Sequence, residues 1–269
     1  MSSFLLSQTN ITNNQISSNP KPPLEIKLNP QWQFSDFSKI STGSSFLYYT
    51  SKSPKNHTIA VNSGHGTKNG SSVKTLCHPD GSPKTTGGST KKGEIYASAI
   101  SGGMTFLDGT PEAIVNFKVA KILKELLLDN GYNVLMIRND EDVQLDNIAR
   151  TVIANNNADI HISIHFDAGN KNKGAFYLSV PDGIKEMIPV KNVWEKHNKL
   201  GSCLIEGLKE TGIKIFGKGN MDIDLTQTSY STIPSIVIEM GDQGTDVSEE
   251  MLKNMAEGLM KGIDIFFKD

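Results

Sequence analysis

Short apolar runs bounded by turn residues alternate along this chain with longer amphipathic stretches, and few architectures accommodate that alternation. Thr58 to Asn62 (TIAVN), Tyr132 to Arg138 (YNVLMIR), Asp159 to His165 (DIHISIH), Gly174 to Val180 (GAFYLSV) and Pro234 to Met240 (PSIVIEM) have the length and apolar content of buried strands. Between them, Val115, Val119, Ile122 and Leu126 recur at helical spacing. Thr110 reads as the N-cap of that helix, Pro111 as its first residue, and Asn130-Gly131 closes it. Further helices are expected over Gln144 to Asn157, Trp194 to Thr211 and Val247 to Phe267. Strand, helix and strand in succession favour parallel pairing, so the expected fold is α/β, a three-layer αβα arrangement with a mostly parallel central sheet.

The 269 residues suit one such domain with an extended N-terminal arm. Ser2 to about Pro30 is rich in Ser, Asn, Thr and Pro and reads as a flexible leader; Gln31 to Thr50 adds Trp32, Phe34, Phe37, Phe46, Leu47, Tyr48 and Tyr49, enough aromatic surface to dock on a domain, the plainer reading, or to bind a ligand. Residues 1–56 are therefore taken as leader and aromatic arm, and 57–269 as the domain proper. Thr67 to Gly109 is dominated by Gly, Ser, Thr and Lys and reads as an insertion that is functional or mobile.

With 37% hydrophobic and 21% charged residues and a net charge of -2, the chain is neither a disordered polymer nor a nucleic-acid binder. Cys77 and Cys203 form no metal or redox pair motif. No apolar run approaches the roughly 20 residues of a membrane span, and Met1 to Gln8 lacks the basic region of a secretory signal.

His65, Glu112, His165 and Glu239 each fall at the end of a buried element, where open α/β sheets place their active sites. Two histidines and a carboxylate are a common catalytic zinc set that leaves a position for water, and Glu239 would then remain as general base. Each also has a plainer reading. His161 lies on the same strand face as His165, about 13 Å away at the usual strand rise, and competes with it for the ligand role. Glu112 alone serves as a favourable charge at a helix N-terminus. Glu239 is harder to treat so, because an ionised carboxylate in a strand this apolar needs a cation or hydrogen bonds to offset its burial.

Taken in order, these pieces resemble the zinc-dependent N-acetylmuramoyl-L-alanine amidases known as type 3 amidases, over roughly Thr58 to Asp269. The matching segments are Ser63-Gly64-His65-Gly66, Glu112 with Asn116, Leu135-Met136-Ile137-Arg138, Arg150 with Ala154-Asn155, Ala158-Asp159, Ser163-Ile164-His165, and Pro234 through Glu239 with Gly241. The resemblance implies that His65, Glu112 and His165 bind Zn2+ and that Glu239 is the catalytic glutamate. It also implies hydrolysis of the amide bond between N-acetylmuramic acid and L-alanine in peptidoglycan, as in an autolysin or endolysin acting outside the cell or in its wall. Arg138 and Arg150 read as structural, at a sheet edge or helix surface, paired with Asp140 or Asp142.

Three departures from the family pattern stand out. The family's gap between the first histidine and the glutamate is short, so the long stretch here makes Glu94 a rival to Glu112. Asp167 stands where the family commonly has Asn, and Asp242-Gln243-Gly244-Thr245-Asp246 replaces a Phe-x-Ser-Asn stretch. The insertion is expected to border the substrate groove, and its Lys68, Lys74, Lys84, Lys91 and Lys92 read equally as contacts for stem-peptide carboxylates or as the charges of a solvated surface loop. Two other readings are a peptidoglycan-binding protein of this fold without activity, whose mark would be loss of the base, and a zinc carboxypeptidase acting on stem peptides.

Overall fold

The computed structural model describes residues 21–169 and 171–268, so most of the expected leader lies outside it. In chain order the strands and helices are β1 (Leu24–Ile26), β2 (Ser45–Tyr48), β3 (Thr58–Ser63), β4 (Lys74–Leu76), β5 (Tyr96–Ser98), α1 (Glu112–Asp129), β6 (Asn133–Met136), α2 (Asn147–Asn157), β7 (Ile160–Asp167), β8 (Ala175–Ser179), α3 (Trp194–Glu210), β9 (Ile215–Asp222), α4 (Thr226–Tyr230), β10 (Ser235–Asp242) and α5 (Glu249–Lys268). Eight strands form one sheet in the order β1-β2-β6-β3-β7-β10-β8-β9. The central four, β6, β3, β7 and β10, run parallel, while β8 pairs antiparallel with β10 and β2 antiparallel with β6. This is the expected three-layer α/β fold.

Residue alternation assigns the two sheet faces. Ile59, Val61, Ile160, Ile162, Ile164, Ile236 and Ile238 pack with Val119, Leu123 and Leu127 of α1, Leu204 and Leu208 of α3, and Leu259 and Ile263 of α5 in the main core. Ala60, Leu135 and Ile137 point the other way, onto Ala149, Ile153 and Ala154 of α2. His161, Ser163 and His165 share this second side of β7 by the same alternation, so the polar groups of the sheet gather opposite the large core.

Local chemistry sets the ends of the helices. Pro111 is the extended N-cap of α1 and Glu112 its first helical residue, one position later than the sequence suggests. Asp146 caps α2 by accepting from Ala149 N at 2.8 Å. The same carboxylate accepts from Lys39 N at 2.6 Å and Ile40 N at 2.9 Å, which ties the aromatic arm to the domain. Phe34 and Phe37 then meet Tyr230 edge-on, with centroids 5.5 and 5.6 Å apart.

Two expectations change. The flexible leader does not extend to Pro30, because β1 (Leu24–Ile26) pairs antiparallel with β2 (Ser45–Tyr48) and extends the sheet. The segment 67–109 is ordered by packing rather than by composition: β4 pairs with β5, and buried Asp224, just after β9, gathers donors from the insertion. Asp224 accepts from His78 Nε2 at 3.1 Å, Lys84 Nζ at 3.0 Å, Thr85 N at 2.6 Å and Thr86 N at 3.1 Å. β9 itself escapes sequence reading because Gly217 and Gly219, both at positive φ, interrupt its apolar pattern.

Candidate metal and catalytic site

Strand β3 ends at Ser63, and the next residues turn sharply: His65 has φ 62° and Gly66 φ 70°. A histidine in the left-handed region needs outside support. Two buried guanidiniums supply it. Arg150 donates to Ser63 O at 3.2 Å and His65 O at 2.7 Å, and Arg138 donates to Ser63 O at 3.1 Å and Gly64 O at 3.3 Å. Both arginines have no exposed surface, which overturns their expected placement at a sheet edge or helix surface. Backbone carbonyls take most of their hydrogen bonds, with Asn62 Oδ1 and Thr67 Oγ1 accepting the rest from Arg150, and neither the Asp140 nor the Asp142 carboxylate takes one; Arg138 reaches Asp140 only through its carbonyl oxygen, at 3.1 Å. Burial lowers Arg138 to about 10, and burial together with the charge of Arg138 lowers Arg150 to about 9, so both stay cationic near neutrality.

The turn aims His65 Nε2 at Glu112 Oε1, 3.0 Å away, and at His165 Nδ1, also 3.0 Å away. His165 Nδ1 lies 3.1 Å from the same Glu112 oxygen. One donor atom from each of the three residues falls within 4.8 Å of the others. The remaining ring nitrogens are engaged elsewhere. His65 Nδ1 donates to Ser101 O across 2.7 Å, and His165 Nε2 lies 3.2 Å from Ser163 Oγ.

Glu112 is 2% exposed at the start of α1. Its Oε1 also accepts from Asn116 Nδ2 at 3.0 Å and Phe166 N at 3.1 Å, and its Oε2 from Met104 N at 2.9 Å. Burial alone would raise its carboxyl, but hydrogen bonds from His165 and His65 and their charge outweigh that and hold it well below the usual range. Close packing leaves room for glycine only at two neighbours. A β-carbon on Gly64 would stand 2.2 Å from His165 Cε1, and one on Gly103, at φ 82°, would stand 2.8 Å from Glu112 Oε2.

Glu239 sits on β10 directly opposite His165 of β7 and Phe176 of β8. Its Oε2 is buried without a hydrogen-bond partner among the described residues. Burial, then the charges of Glu112 and Asp167, push this carboxyl well up, and Lys173 opposes them in part. The two rivals lie elsewhere. His161 is buried, with Nδ1 3.3 Å from Ser235 Oγ, and Glu94 is exposed in the insertion. The structure therefore brings together His65, Glu112 and His165 with Glu239 beside them, and excludes both alternatives from the cluster.

Comparison with known proteins identifies the family. A family profile described as N-acetylmuramoyl-L-alanine amidase, Amidase_3, matches residues 59–264. The chain belongs to this amidase family.

Its fold is shared with amidases of known structure at low sequence identity. The N-acetylmuramyl-L-alanine amidase of Mycobacterium smegmatis is 18% identical, with a TM-score of 0.65 over 81% of this chain and 99% of that one. The amidase of Nostoc punctiforme is 18% identical, with a TM-score of 0.56 over 80% and 99%. The catalytic domain of an endolysin targeting Clostridia difficile is 14% identical, with a TM-score of 0.52 over 78% and 98%. No curated protein sequence matches the chain.

In this amidase the histidine and glutamate groups open into a cleft of about 600 Å³. Gly87 to Thr90 and Gly102 to Met104, both from the insertion, form one side of it. Of the insertion's lysines only Lys84 lines the cleft, and it is bound to Asp224, so of the two readings of these lysines the solvated surface loop fits Lys68, Lys74, Lys91 and Lys92. At the other end Asp242 accepts from Lys171, Asn172 and Lys173 N at 2.9 to 3.2 Å, fixing the loop whose Lys173 pairs with Asp167. Sequence reading missed Ser101, Gly103 and Asp224. The Gly102-Gly103 pair was the only local signal for the first two, and nothing local marks Asp224.

Proposed function

We propose that this peptidoglycan amidase works with one zinc ion held by His65 Nε2, His165 Nδ1 and a carboxylate oxygen of Glu112, with Glu239 carrying the proton. The observation behind this reading is the convergence of two imidazole nitrogens and a carboxylate within 4.8 Å, beside a glutamate oxygen that has no partner among the described residues. The donor set fits zinc: mixed nitrogen and oxygen ligands, three in number, with the outward ring nitrogen of His65 fixed by a carbonyl.

When bound, zinc supplies Lewis-acid polarisation of the scissile carbonyl and acidifies water. The remaining steps belong to the protein. Glu239 takes a proton from the attacking water and delivers it to the alanine nitrogen as the bond to the lactyl carbonyl breaks. A carboxyl pushed upward by burial suits that task, because it holds the proton between the two transfers. Glu112, held ionised by its hydrogen bonds, is suited to ligation instead. The two glutamates thus divide by environment. The substrate places the enzyme's work at the cell wall.

Metal analysis of the purified chain tests the zinc, and mass spectrometry of digested peptidoglycan tests the bond. A new N-terminal alanine paired with an intact lactyl group is the expected product. Release of a C-terminal residue from the stem would instead point to carboxypeptidase action.

A further inference from the structure

Beyond the metal cluster the cleft crosses β10 toward β8 and β9, and its chemistry changes. The floor there is aliphatic, made by Leu178, Val237, Met221, Ile223 and Leu225, and Ser89, Thr90 and Thr226 stand along its sides. Among the described lining residues every charge is already committed. Lys84 is bound to Asp224, Asp167 to Lys173, Glu112 to the two histidines, and Glu239 belongs to the reaction. Lys91 and Lys92 are exposed and lie outside the lining. No cation of the lining is left to receive an incoming carboxylate, and a carboxylate buried on an aliphatic floor without a cation is costly.

Sugar recognition has little support on this floor. Phe166 and Phe176 are the aromatic residues of the lining, and they are 3% and 2% exposed, so neither offers a ring face for a pyranose to stack on. A short peptide of amide groups and methyl side chains matches both the aliphatic floor and the hydroxyl-bearing sides. The Asp224 clasp holds the Thr85-Thr86 end of the upper wall in place, so the site is preformed.

We infer that this half of the cleft is a charge-excluding subsite for the stem peptide, selecting stems whose second residue carries a carboxamide over stems carrying the free α-carboxylate. The inference rests on the amidase reading above. It predicts a preference set by the protein's wall rather than by its metal.

The test uses the zinc-loaded full chain and two muramoyl-tripeptides that differ only in that group. The carboxamide substrate is expected to show kcat/KM at least tenfold above the carboxylate substrate, and Thr226→Lys, which adds a cation to the wall, is expected to narrow or reverse that ratio. Equal rates, or faster cleavage of the carboxylate substrate by the unaltered enzyme, would overturn the subsite while leaving the amidase reading intact. Cleavage of neither substrate at the muramoyl–alanine bond would remove both. Should Thr226→Lys fail to fold, the ratio for the unaltered enzyme still decides.

Discussion

Arg150 donates to the backbone carbonyl of His65 across 2.7 Å while His65 turns its Nε2 toward Glu112 at 3.0 Å. One buried cation thereby sets the direction of a side chain on the far side of the same residue. Arg138 repeats the arrangement at Gly64, and a β-carbon on Gly66 would stand 2.7 Å from its guanidinium. The left-handed turn at His65 is a consequence of this clamp, and the metal cluster depends on the turn.

Arg150→Lys keeps the charge but cannot reproduce a planar fork that reaches Ser63 O, His65 O and Asn62 Oδ1 together. Zinc affinity is expected to fall about 10- to 100-fold, the range for losing support around a metal ligand. Competition with a chelator measures it, and unchanged affinity would mean that the turn holds without Arg150.

Gly64→Ala is expected to leave a folded chain that binds zinc poorly. The added carbon would stand 2.2 Å from the His165 ring, which must swing away from His65 and Glu112. Metal content beside a circular dichroism spectrum separates loss of the site from loss of the fold.

These residues show where the sequence was informative. Apolar alternation identified β3, β7 and β10, and ordinary strand geometry then put His165 and Glu239 on one side of the sheet. It did not reveal what the arginines do, because a carbonyl acceptor leaves no mark in the sequence whereas an Asp two or four residues away suggests a partner. Asp224 was illegible for a similar reason. Its partners His78, Lys84, Thr85 and Thr86 lie about 140 residues back, at separations of 138 to 146, inside a stretch whose Gly and Ser content reads as loop.

Asp224→Asn is expected to destabilise the chain by roughly 3 kcal/mol, because Lys84 would keep a buried charge without its carboxylate. The upper wall should loosen as well. A raised KM with zinc stoichiometry retained, alongside a lower urea midpoint, is the predicted combination; an unchanged midpoint would show that the clasp contributes nothing.

Acid should weaken the fold through a second pair of residues. Burial lowers both His161 and His197 to about 3, and the Nε2 of each has no partner among the described residues. Unfolded histidine titrates near 6.5, so between about 6.5 and 3 the unfolded chain binds more protons than the folded one. The stabilisation is complete above about pH 6.5 and declines as pH falls, by up to about 1.4 kcal/mol per pH unit for each histidine. Urea midpoints at pH 7.5 and 5.5 should show this decline, and His197→Gln should flatten it. Parallel profiles for the two proteins would count against His197 as a source.

The most direct test of the proposed site is to measure zinc content and turnover on a single preparation of Glu239→Gln. The substitution preserves shape and removes the proton carrier while leaving His65, Glu112 and His165 in place. One zinc per chain is expected, with turnover of a muramoyl-peptide lowered by a factor on the order of 10² to 10⁴. Turnover near that of the unaltered enzyme, with zinc bound, would contradict Glu239 as the proton carrier.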